Sequence, residues 1–125
     1  MSGAFVPEGS YKNSSQDISV VLNCEAQKRD QSWTHSSFDL TNSPGDVALE
    51  NIDGELKKAG GTGTRSGFIP GGSYSQTCRN VTVRVYSKSK RRDQSLIAAS
   101  YDLTKASPDQ TSLENIDGVL VQAGS

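Results

Sequence analysis

Residues 49–54 read Leu-Glu-Asn-Ile-Asp-Gly, and the same six, LENIDG, return at 113–118. Asp-Gly between apolar positions is the strongest short signal for a β-hairpin, because a type I′ turn needs positive φ at both central residues. Each copy is followed by a leucine two residues on, Leu56 and Leu120. The chain therefore makes the same hairpin twice.

The repetition extends outward from that string. Setting Phe5 on Phe68 aligns FVPEGSY with FIPGGSY, and the same offset of 63 residues brings KRDQS (28–32) onto RRDQS (91–95) and SFDLT (37–41) onto SYDLT (100–104). One inserted residue between about 107 and 112 moves the offset to 64, where the two LENIDG strings coincide. Two repeats, about 3–60 and 66–124, thus cover nearly all of a single domain spanning 1–125, joined at about 61–66.

Each repeat reads as strands. Ile18, Val20, Leu22 and Cys24 alternate with polar or outward positions, as do Val81, Val83 and Val85, the period of a half-buried strand. Second strands are expected at about 33–40, with Phe38 and Leu40 inward, and at 96–103, with Ile97, Tyr101 and Leu103 inward. NSPGD (42–46) and KASPD (105–109) are breakers expected to end in a single helical turn. The chain is 33% hydrophobic and carries twelve glycines, which fits a turn-rich all-β protein. A repeat of about sixty residues this polar buries too little apolar surface to stand alone. The two copies are expected to complete one pseudosymmetric core.

Composition removes several function classes. Thirteen basic against fourteen acidic residues give a net charge of −1, which argues against a general nucleic-acid or anionic-membrane binder. KSKRR at 88–92 is the local exception and reads as a solvated strand end. No apolar run approaches the roughly 20 residues that span a bilayer, so no membrane insertion is expected. The one histidine, His35, aligns with Ala98 and stands among Ser and Thr; it reads as a structural or surface residue rather than a catalyst. No nucleophile motif, phosphate loop or metal-ligand spacing is visible, and neither catalysis nor a cofactor is expected. The pairs Glu50/Asp53 and Glu114/Asp117 sit at hairpin turns, where carboxylates are common.

GSYSQTCRN (72–80), the SFDL and SYDL strands, and the duplicated LENIDG hairpins together resemble cyanovirin-N and its homologs, the CVNH lectin family, from about Gly9 to Gly124. The resemblance implies an all-β, pseudosymmetric tandem-repeat fold of triple-stranded sheets, β-hairpins and short helical turns, with elements exchanged between halves. It implies binding of mannose-rich glycans, α1→2-linked mannose ends in particular, at up to two sites and without metal or catalysis. One site would draw on Gly9, Ser10, Asn13, Ser14, Glu25 and Gln27, completed by Asn115, Ile116 and Asp117. The other would join Gly72, Ser73, Gln76 and Thr77 to Glu50, Asn51 and Asp53, flanked by Lys90 and Arg92. Amides, carboxylates and turn backbone suit vicinal hydroxyls, each both donor and acceptor, and glycine lets a ring approach the backbone.

The sequence departs from the family at its disulfides, one per repeat in the prototype. Cys24 keeps half of the first pair and Ser15 holds its partner's place; Cys78 keeps half of the second and Ser87 its partner's. Two free, buried thiols are expected, and a Cys24–Cys78 bond, joining opposed ends, is not. Reduced cysteines, with no signal segment in MSGAFVPEGS, fit a cytoplasmic or not classically secreted protein; an extracellular one remains the alternative. The slack at 61–71 favours a monomer over a strand-swapped dimer. A protein-interaction scaffold whose repeats serve packing alone is the rival reading.

Overall fold

The computed structural model describes residues 5–43, 45–106 and 111–123. Its strands are β1 (Ser15–Gln27), β2 (Trp33–Asp39), β3 (Val47–Ile52), β4 (Glu55–Thr62), β5 (Cys78–Lys90), β6 (Leu96–Asp102), β7 (Leu113–Ile116) and β8 (Val119–Gln122). They form one four-stranded sheet, ordered β2-β1-β5-β6, and two hairpins, β3-β4 and β7-β8. The all-β fold expected from the sequence is present, but each repeat gives the sheet two strands rather than a triple-stranded sheet of its own. The reason is local: residues 15–27 contain no turn, so the segment runs on as one strand of 13 residues.

The seam between repeats is the β1–β5 pairing, which is antiparallel and sets Val20 against Val85, Val21 against Arg84 and Leu22 against Val83. Val21 and Arg84 occupy the same place in the two repeats. A pseudo-two-fold axis therefore passes through that pair, and contacts at one end of the seam recur at the other. Gln27 N donates to Thr77 O at 2.9 Å, and Lys90 N donates to Ser14 O at 2.8 Å.

The alternation read from the sequence holds through the seam. Val20, Leu22, Cys24, Val83 and Val85 are buried in one core with Leu40, Leu49, Leu103 and Leu113. Burying a Val or Leu side chain is worth roughly 1.5–3 kcal/mol, and this shared core is what neither repeat could assemble by itself. Ile97 is the exception. It lies 43% exposed, because β6 is an edge strand whose outer end runs past the core.

The helical turns fall elsewhere than expected. Single 3₁₀ turns occupy Ser10–Asn13 and Ser73–Gln76, whereas residues 45–46 form an ordinary turn and residues 107–109 lie outside the described ones. Each 3₁₀ turn buries one tyrosine. Tyr11 donates its hydroxyl to Pro7 O at 2.6 Å, and Tyr74 donates to Pro70 O at 2.7 Å.

Candidate functional site

Both hairpins turn as the Asp-Gly strings require. Asp53 and Gly54 have φ of 50° and 89°, Asp117 and Gly118 of 51° and 90°. Within each turn the asparagine two residues before the aspartate closes the loop, Asn51 Oδ1 accepting from Gly54 N and Asn115 Oδ1 from Gly118 N, both at 2.8 Å.

Each hairpin docks on the 3₁₀ turn of the other repeat, β3 against Ser73–Gln76 and β7 against Ser10–Asn13. Glycine makes this possible. A Cβ at Gly72, whose φ is 123°, would lie 2.2 Å from Leu49 O, and one at Gly9, φ 136°, would lie 2.1 Å from Leu113 O. Gly9 and Gly72 are thus filled by hairpin backbone, and the close approach they permit is protein on protein.

The hairpin tips then meet the loops that end β1 and β5. Asn51 Nδ2 donates to Gln27 O at 2.9 Å and to Thr77 Oγ1 at 3.0 Å, and Asp53 Oδ1 accepts from Arg29 N at 2.9 Å. At the other end Asn115 Nδ2 donates to Ser14 Oγ at 2.9 Å and Lys90 O at 2.8 Å, and Asp117 Oδ1 accepts from Arg92 N at 2.9 Å. Each asparagine spends its donors on structure. Among the described residues neither aspartate's second oxygen accepts a hydrogen bond, and Arg91 Nε lies 3.8 Å from Asp117 Oδ1.

Two open clefts result. One, of 390 Å³, is lined by Asn51, Ile52, Asp53 and Thr77 with Gln27, Lys28, Arg29 and Gln31. The other, of 330 Å³, is lined by Asn115, Ile116, Asp117 and Ser14 with Lys90, Arg91 and Arg92. These volumes sit at the small end of ligand clefts, which run roughly 300–1,000 Å³.

The loops of 28–32 and 91–95 that form the outer walls are closed by hydrogen bonds of their own. Lys28 N donates to Ser32 O, and Arg91 N to Ser95 O, both at 2.8 Å. Asp30 and Asp93 accept from the hydroxyl and amide of Ser32 and Ser95, and those bonds hold both carboxyls below their ordinary range.

The grouping drawn from the sequence needs two corrections. Gln27, placed with 115–117, lies instead beside Asn51, while Lys90 and Arg92, placed with 50–53, lie beside Asn115. The cause is the antiparallel seam, which brings the end of β1 to the start of β5 and the end of β5 to the start of β1. Glu25 follows Gln27 to that end, where it pairs with Arg79 at 3.3 Å rather than lining a cleft. Ser10, Asn13, Ser73 and Gln76 are exposed on the 3₁₀ turns, and Glu50 is half-buried on β3; none of these five lines either cleft. Ile52 lines the first cleft although only its counterpart Ile116 is expected from the sequence, and Lys28, Arg29 and Gln31 join it there unexpected. The signal for those three was the second echo, KRDQS and RRDQS.

A larger depression of 640 Å³ lies along β5 and β6, away from the hairpin tips. Its carboxylate, Asp102, already accepts from Thr104 N at 2.9 Å and lies 3.9 Å from Arg84.

An all-β tandem repeat with two equivalent polar clefts is the class of molecule these features define. The CVNH domain model matches residues 11–121. The chain belongs to the CVNH family, a family of lectins rather than enzymes, and is by that membership a carbohydrate-binding lectin. Among solved structures it is similar to the NMR structures of a designed cyanovirin-N homolog lectin, LKAMG, at 17% identity, covering 90% of this chain and 98% of that one. The TM-score is 0.19. No curated protein sequence matches this one.

Proposed function

We propose that the two clefts bind mannose-rich glycans through α1→2-linked mannose ends, one terminus per cleft. The observation that supports this most is the equivalence of the two clefts. In both, a tip aspartate whose second oxygen accepts no hydrogen bond among the described residues stands beside a loop closed by its own backbone hydrogen bonds and bearing exposed Gln, Lys or Arg side chains. A sugar diol needs an ionic acceptor and neighbouring donors at hydrogen-bond spacing, and charged partners roughly double the strength of such bonds. The asparagines act indirectly by holding tip and loop together.

The lectin is a monomer in this reading, and two clefts on one rigid body raise avidity for a branched glycan through effective concentration. Nothing in either cleft calls for a metal or other cofactor.

NMR titration with a mannose α1→2 disaccharide tests the proposal. Amide shifts are expected at 27–31, 51–53 and 77, and at 14, 90–92 and 115–117. Silence at all these positions at millimolar sugar rejects mannose binding and leaves the repeats a packing role.

A further inference from the structure

The seam carries an asymmetry that the clefts do not use. Cys24 is 2% exposed and faces the core with Leu22 and Ala26, while Cys78, half-buried, stands directly across the seam from Ala26. Cys24 lies on the same inward face of β1 as Ala26, two residues before it and beside a register shift between Asn23 and Glu25, so the two cysteines stand diagonally across the β1–β5 ladder. The expectation that they occupy opposed ends is overturned by the antiparallel seam. The two-fold counterparts of this pair are Ser87 and Ser15, which both bond to Ser89 Oγ, at 2.9 and 3.0 Å. One end of the seam thus holds two thiols where the other holds two hydroxyls.

We propose that Cys24 and Cys78 form an intramolecular disulfide across the seam, joining repeat one to repeat two beneath the Asn51–Asp53 cleft. The oxidant is a low-molecular-weight disulfide. Cys78, the more exposed, loses its proton and attacks one sulfur of that reagent, displacing a first small thiolate. Cys24 then gives up its proton and attacks the Cys78 sulfur, displacing the second. Two electrons pass to the reagent, and the two protons end on the released small thiols. Burial pushes both thiols up, Cys24 to about 12, and at the more exposed Cys78 interactions with Cys24 and Thr77 offset part of the rise. That order makes Cys78 the first nucleophile.

The bridge has a defined local consequence. Thr77, beside Cys78, accepts Gln27 N on its carbonyl and Asn51 Nδ2 on its hydroxyl. A covalent tie at residue 78 therefore fixes one wall of that cleft and leaves the cleft at Asn115 unchanged.

Incubating the intact chain with oxidised glutathione tests this. The expected product is a monomer lacking two hydrogens, whose non-reducing peptide map joins the Cys24 and Cys78 peptides. Its thermal midpoint should rise by about 10 °C, reversibly on reduction, since closing a loop this long restricts the unfolded chain strongly. Cys24→Ser should give at most a glutathione adduct at Cys78. Two thiols still free after prolonged exposure, adducts or chain–chain dimers alone in the wild type, or a lowered midpoint on bridging would each overturn the proposal.

Discussion

Replacing Asn51 by alanine removes an amide that serves three groups at once: Gln27 O, Thr77 Oγ1 and Gly54 N. A net intramolecular hydrogen bond is worth about 0.5–1.5 kcal/mol. The bonds to Gln27 and Gly54 are part-buried and the one to Thr77 is exposed, so the three together should contribute about 2–3 kcal/mol. Urea unfolding is the assay. With a slope of about 1–3 kcal/mol/M, the midpoint should fall by roughly 1–2 M. Asn115→Ala, its two-fold counterpart, should behave alike, while Asn42→Ala, exposed in a turn, should stay within about 0.5 kcal/mol. The sugar response should separate the two ends, with Asn51→Ala silencing 27–31 and 77 and sparing 14 and 90–92. A loss under about 0.5 kcal/mol for Asn51→Ala would show that water replaces these bonds without penalty. The account of the asparagines as the clasp between tip and loop would then fail.

Other outcomes follow from the same contacts. Tyr74→Phe leaves the Pro70 carbonyl without its buried donor and should cost about 1–2 kcal/mol in urea unfolding; a neutral result would mean water reaches that carbonyl. Gly72→Ala forces a Cβ to 2.2 Å from Leu49 O at φ 123° and should lose about 3 kcal/mol or more, whereas Gly60→Ala, with nothing within 4 Å, should be near neutral. Equal thermal midpoints for those two variants would refute the docking role of Gly72. Asp102 is held below its ordinary value by the Thr104 hydroxyl and amide, so its contribution is full above the unfolded pKa of about 4 and fades as pH falls through the lower folded value. Wild type should therefore exceed Asp102→Asn in stability at pH 7 by more than at pH 2.5. A gap independent of pH would contradict that assignment.

What could be read from the sequence was what is local. Asp-Gly demands positive φ whatever surrounds it, so both hairpins were visible, and the alternation of Val20, Leu22 and Cys24 marks one face of a strand without reference to its partner. Pairing is another matter. Which loop stands beside which hairpin depends on β1 running antiparallel to β5, and no residue within either strand states that, so Gln27, Lys90 and Arg92 were placed at the wrong ends. Gly9 and Gly72 read from the sequence as places where a sugar ring approaches the backbone, but the space beside each is filled by the hairpin of the other repeat. Tyr11 and Tyr74 passed unnoticed as core residues because polar neighbours hide them. Their exact repetition after Pro-x-Gly-Ser was the available clue.

Val21 facing Arg84 has one more consequence. A seam that meets its own counterpart about a two-fold axis is isologous, so two chains can rebuild it between them with every contact retained. A swapped dimer would again set Val21 of one chain against Arg84 of another. Pairing of like repeats is different: it would put Arg84 opposite Arg84, two positive charges directly across a ladder, which is destabilising. The halves have diverged where it matters for choosing a mate. Arg84 on the axis, with Asp102 3.9 Å away to offset part of the repulsion, would disfavour pairing of repeat two with itself.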